Sequence, residues 1–230
     1  MQFEKRRNAA YPSGYGVMTR FVNALAVVLC LVWAPTGAWA SDGKIILALG
    51  DSLTAGYGLT QSDAFPVQLQ AGLRTAGLKE ALVINGGVSG DTSAGGRARL
   101  NWLLNGPVDL ILVELGANDG LRGLDPAQTR KNLDAILANL TQRGLPVLLS
   151  GMLAPPNLGE DYGRAFNSIY PDLAKKYGVM LDAFFLQGVA TDSTLNQADG
   201  LHPNAQGVAV IVKRLVPQIV NALKPSKKDH

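Results

Sequence analysis

The chain has 230 residues, 47% of them hydrophobic, with 21 Lys and Arg against 18 Asp and Glu. One cysteine and two histidines exclude a disulfide framework and a multi-histidine metal centre. If the chemistry needs an imidazole, His202 is almost the sole candidate, because His230 ends the chain.

Read in chain order, the first segment is a leader. Lys5, Arg6, Arg7 and Arg20 precede the apolar run FVNALAVVLCLVWA, Phe21 to Ala34, which leads to Ala38, Trp39 and Ala40. Basic residues, a short apolar core and a small-x-small site form the pattern of a secretory signal peptide, so residues 1–40 are predicted to be cleaved after Ala40. The alternative is an uncleaved anchor, but the run has 14 residues where a spanning helix needs about 20. Met18 is an alternative start, and Leu29 is too large to precede a lipid-modified Cys30. Without Lys5, Arg6, Arg7, Arg20 and Glu4, 17 bases face 17 acids. The basic footprint of a nucleic-acid binder is therefore missing. The expectation is an exported protein, periplasmic or secreted, with no stable membrane anchor after cleavage and a single domain over residues 41–230.

Five near-continuous apolar runs follow: Lys44 to Gly50, Ala81 to Gly86, Asp109 to Gly116, Leu145 to Met152 and Val179 to Phe185. Such runs suit buried strands of a parallel sheet covered on both faces. Helices are predicted between them over Phe65–Ala76, Thr92–Leu104, Asp125–Arg143 and Asp161–Tyr177, and a last one over Pro203–Leu223 opens with proline at its first position. Regular alternation implies right-handed crossovers and a three-layer α/β/α domain. Leu153–Gly163 and Leu186–His202 read as irregular. GDS, GGVSGDTS and GANDG each follow a strand, at the carboxyl edge where open α/β sheets place their chemistry.

Within ILALGDSLTAGYG, Ser52 is either a turn residue or a nucleophile. In DGLHPN, His202 precedes a proline, which favours extended backbone, and Asp199 lies three residues earlier across a glycine. Serine, histidine and aspartate together suit a nucleophile, its base and the base's orienter; a lone D-x-x-H is more often a capping arrangement. Gly90 can offer an unobstructed backbone N–H, Asn118 a side-chain amide and Ser52 its own N–H to a developing oxyanion, although glycine and asparagine are also ordinary turn residues. The complete set, in order and at sheet-edge positions, favours acyl transfer. Leu121, Leu153, Pro155, Pro156, Leu158 and Tyr162 either line an acyl groove or pack down on the sheet. No G-x-S-x-G elbow occurs, which disfavours the α/β-hydrolase architecture.

GDSLTAGYG, NGGVSGDTSAGG, ELGANDGLRG and DGLHPN resemble the four sequence blocks of the GDSL/SGNH hydrolase superfamily. The chain is most similar to its secreted bacterial thioesterase I/lysophospholipase/arylesterase branch, over nearly all of residues 41–230. The resemblance implies a flavodoxin-like three-layer α/β/α fold with a five-stranded parallel sheet. It implies Ser52 as nucleophile, His202 as base, Asp199 as its partner, and Ser52, Gly90 and Asn118 as oxyanion donors, with no cofactor and no metal. The expected partner is a small acyl ester or a lysophospholipid, and the protein is expected to be a monomer. O-acetylated glycans are alternative substrates. A flavodoxin-like FMN-binding module is the non-enzymatic alternative, in which the Asp199 and His202 pair has no task.

Overall fold

The computed structural model describes residues 43–224. The predicted leader, its cleavage site and the end of the basic tail lie outside the described residues. Five strands, β1 (Ile45–Gly50), β2 (Leu82–Gly87), β3 (Leu110–Glu114), β4 (Val147–Ser150) and β5 (Met180–Asp182), pair in parallel in the order β2-β1-β3-β4-β5. This is the flavodoxin-like doubly wound order, and its switch point lies between β1 and β3. Ile46 through Leu49 and Leu110 through Val113 are fully buried, as expected of central parallel strands with helices on both faces.

The helices are α1 (Ser52–Ala55), α2 (Phe65–Thr75), α3 (Ser93–Leu103), α4 (Ala117–Leu121), α5 (Pro126–Gln142), α6 (Glu160–Asn167), α7 (Ile169–Tyr177) and α8 (Ala205–Ala222). On one face α2 packs against α8; on the other α3, α5 and α7 lie side by side. Capping explains several of the boundaries. Thr92 accepts from Gly95 N at α3, and Asp125 accepts from Ala127 N at α5, with Pro126 in the first turn.

Two helix expectations need correction. The single helix predicted over Asp161–Tyr177 is two, α6 and α7, meeting at Ser168. Pro171 has no N–H to give Asn167, and its ring would crowd that carbonyl in a continuous helix. The chain restarts so that Pro171 falls in a first turn, where no donor is needed. The last helix begins at Ala205, not Pro203, because the Asn204 side chain caps it by accepting from Gln206 N and Gly207 N. Pro203 instead forms an isolated antiparallel bridge with Asn196. Pro217, inside α8, gives up its bond on the exposed side of the helix. Three short elements had no sequence expectation: α1, α4 and the 3-10 turn Gln61–Asp63. The irregular Leu153–Gly163 segment contains a 3-10 turn, Pro156–Leu158.

Candidate active site

The turn after β1 is shaped by its own capping side chain. Asp51 is the cap, its Oδ1 accepting from Leu53 N at 3.0 Å, so Ser52 becomes the first residue of α1 with its hydroxyl free. Its N–H occupies a first-turn position with no acceptor inside the helix. Gly50 is required by packing, since a Cβ there would collide with the Thr54 hydroxyl and the Glu114 carboxyl. Gly58 has φ +72°, and a Cβ on it would strike the Gln197 side chain. Gln197 uses this close approach to donate from Nε2 to Tyr57 O at 2.8 Å and to Pro203 O at 3.0 Å. One amide thereby ties the loop after β1 to the residue following His202.

His202 Nε2 lies 2.9 Å from Ser52 Oγ, and His202 Nδ1 lies 2.6 Å from Asp199 Oδ2. The other carboxylate oxygen, Oδ1, accepts from Leu201 N at 2.9 Å and His202 N at 3.0 Å. These backbone bonds, with the imidazole's own, hold the Asp199 carboxyl down at about 2. It is therefore an acceptor at any ordinary pH. An acceptor-only group at Nδ1 places the ring proton there and turns the Nε2 lone pair toward Ser52. The Tyr57 ring tilts over the imidazole, with centroids 4.8 Å apart.

Gly90, with φ +84°, and Asn118, on the first turn of α4, line the same cavity as Ser52 and His202. Asn118 Nδ2 donates one hydrogen to Asp51 Oδ2 at 3.2 Å, leaving its second for a ligand. The Gly90 loop is held from beneath by Arg99. Its guanidinium pairs with Asp91 at 2.6 Å and donates to Gly86 O at 2.5 Å and Gly50 O at 2.7 Å, joining the ends of β1 and β2 to that loop. Arg122 Nη2 donates to Gly90 O at 2.9 Å from the other side. Buried Asp119 accepts from Ser93 N at 2.7 Å, Ser93 Oγ at 2.5 Å and Thr129 Oγ1 at 3.0 Å, fixing α4 to α3 and α5.

The cavity has a volume of about 290 Å³. Ser52, His202, Gly90, Asn118 and Ser89 supply its polar wall; Leu53, Ala117, Leu121, Met152, Leu153 and Pro155 supply much of the apolar one. Leu121 and Leu153 are among the lining residues. Pro156 and Tyr162 do not line the cavity, and this corrects the expectation for both. Pro155 takes the lining position while Pro156 opens the 3-10 turn. Tyr162 is spent on structure: its hydroxyl donates to Leu124 O at 2.8 Å, and its ring stacks on Phe166 with centroids 5.9 Å apart. Tyr57, Phe184, Leu186 and Leu201 also line the cavity and carried no sequence expectation. Tyr57 stands within the quoted GDSLTAGYG block and Leu201 beside His202, so adjacency to the chemical motifs was the available signal.

The profile of the GDSL-like Lipase/Acylhydrolase family matches residues 48–210. The chain is 40% identical over 201 residues to an arylesterase of Vibrio mimicus, covering 87% of this chain and 98% of that one. It is 39% identical over 181 residues to thioesterase 1/protease 1/lysophospholipase L1 of Escherichia coli K12, covering 78% and 85% respectively. Among solved structures it superposes on AlinE4, described as an SGNH-hydrolase family esterase, with TM-score 0.66 and 47% identity over 80% of this chain and 98% of that one. By sequence and by fold, this chain belongs to the GDSL-like lipase/acylhydrolase family.

Proposed function

We propose that the protein is a serine esterase that hydrolyses carboxylic esters and thioesters through an acyl-enzyme on Ser52. The observation that carries this reading is the unbroken contact from Asp199 through His202 to Ser52 Oγ at the mouth of an apolar cavity. Ser52 Oγ attacks the acyl carbon while His202 Nε2 takes its proton. The carbonyl oxygen gains the electron pair and receives hydrogen bonds from Ser52 N, Gly90 N and Asn118 Nδ2. The imidazolium, stabilised by Asp199, returns the proton to the departing alcohol or thiol as the carbon–heteroatom bond breaks. Water then repeats the sequence on the acyl-enzyme and releases the acid.

The relatives' names, arylesterase and thioesterase/lysophospholipase, together with the apolar lining, favour aryl esters, fatty thioesters and lysophospholipids. An O-acetyl glycan ester would leave most of that apolar wall unused. A flavin phosphate at the start of α1 would meet the buried Asp51 carboxyl, which weighs against the FMN reading. With residues 1–40 as leader, the enzyme acts outside the cytoplasm, where lysophospholipids and other esters are more accessible than acyl-CoA. The test is Ser52→Ala. Loss of both aryl-ester turnover and covalent labelling by a fluorophosphonate is expected, with the melting temperature kept; full activity in that variant overturns the assignment.

A further inference from the structure

Behind the nucleophile lie two buried acids to which the proposed mechanism gives no task. Asp51, fully buried, accepts from Leu53 N on Oδ1 and from Asn118 Nδ2 on Oδ2. Glu114, fully buried at the end of β3, accepts on Oε2 from Thr54 Oγ1 at 2.7 Å and Asp51 N at 3.3 Å, while its Oε1 has no partner. An anionic Glu114 would leave charge on an oxygen with no donor, a costly arrangement that the neutral acid avoids. Asp51 has donors on both oxygens and is the member of the pair suited to carry charge.

The two ends of an asparagine amide are nearly isosteric, so what faces Asn118 decides whether its nitrogen or its oxygen occupies a given place. We propose that Asp51 is a positioning residue: as an acceptor-only carboxylate it fixes the nitrogen end of the Asn118 amide beside itself, and so presents that nitrogen's second hydrogen to the oxyanion. A protonated Asp51 carries a hydroxyl that can donate to the Asn118 oxygen. The amide is then free to turn over, replacing an oxyanion donor with a repelling carbonyl. The inference rests on the serine-esterase reading and adds a proton-controlled lock to its oxyanion site.

The titratable groups around Asp51 come from four elements or loops: Glu114 at the end of β3, Asp119 on α4, Tyr170 on α7 and His202 before α8. Burial pushes Asp51 up to about 6 against its bonds from Leu53 and Asn118, His202 opposes the rise, and Asp119 adds to it. Burial and the neighbouring Asp51 push Glu114 well above the carboxylate range. The lock therefore forms as pH rises through about 6 and is released below it.

The experiment compares kcat of the wild type with that of Asn118→Ala between pH 5 and pH 8 on a soluble aryl ester. The proton transfer through His202 is common to both proteins and cancels in the ratio. The ratio is expected at about a hundredfold or more on the alkaline side, the usual loss for an oxyanion donor. It should fall by pH 5, one unit below the Asp51 transition, by about twofold where both amide orientations are equally populated and by about tenfold where the turned-over one dominates. A ratio constant across that range overturns the inference. In a second arm, Asp51→Asn should lower kcat with KM within about twofold, and adding Asp51→Asn to Asn118→Ala should cost nothing further. Multiplying losses would overturn the inference. If Asp51→Asn does not fold, the first arm decides alone. A wild type that neither hydrolyses esters nor reacts with a fluorophosphonate overturns the esterase reading and this inference together, whereas an active wild type with a flat ratio overturns the inference only.

Discussion

Replacing Asp199 with asparagine should damage turnover more than replacing it with alanine, although asparagine keeps the shape. Asp199 uses one oxygen for Leu201 N and His202 N and the other for His202 Nδ1. An asparagine has one acceptor end. Two backbone donors outvote one ring nitrogen, at about 1 kcal/mol for each bond, so the amide oxygen faces the backbone and the NH2 faces the imidazole. That forces the ring proton onto Nε2, where it points at Ser52 and cannot accept the hydroxyl proton. The corresponding change in serine proteases costs about 10⁴ in kcat, which is about 5 kcal/mol of barrier. In Asp199→Ala, water can reach the vacated place, because the Asp199 side chain is 36% exposed, and the imidazole keeps access to its productive tautomer. Asparagine is thus expected to lose about 10⁴, and alanine at least about tenfold less, since an unforced ring needs only to select a tautomer. Stopped-flow or steady-state kcat on an aryl ester, with a melting curve for each variant, measures this. If the asparagine variant equals or exceeds the alanine variant, the tautomer argument is wrong.

Two further outcomes follow from the packing. Tyr170→Phe removes the buried bond from the Tyr170 hydroxyl to Leu115 O at 2.9 Å; thermal unfolding should show a loss of about 1–2 kcal/mol, or a few degrees. An unchanged melting temperature would mean that the carbonyl finds another donor. Leu121→Asp, at an exposed lining position, should raise KM for long-chain esters severalfold while leaving short-chain acetate esters near the wild-type value; equal effects on both would remove Leu121 from the acyl path.

The strands were readable because central parallel strands must be apolar on both faces, and β1 and β3 are buried along almost their whole lengths. Helix starts were readable where a side chain caps them, as at Thr92 and Asp125. The candidate chemical residues stood out as a set, in order and at sheet-edge positions, although each alone is an ordinary turn or capping residue. Other features depend on approach in space. Pro171 breaks a helix that apolar spacing alone continues. Pro155 and Pro156 differ only in which side of a 3-10 turn they occupy. Tyr57 tilts over the His202 ring and Leu201 lines the same cavity, although the two lie far apart in the chain. Glu114, an acid inside an apolar strand, carried no sequence expectation, and its partner Asp51 lies 63 positions away in the chain.

The Gln197 amide, seated against Gly58 and reaching Tyr57 O, has a bearing on how the protein matures. Its anchor loop joins β5 to α8, and α8 packs on α2, so early and late parts of the chain must both be in place before the bridge can close. A growing polypeptide released from the ribosome or passing through a pore would hold its serine without a base until the final helix docks. Regain of esterase turnover during refolding should accordingly lag behind the return of far-ultraviolet ellipticity, making hydrolysis a reporter of completed assembly.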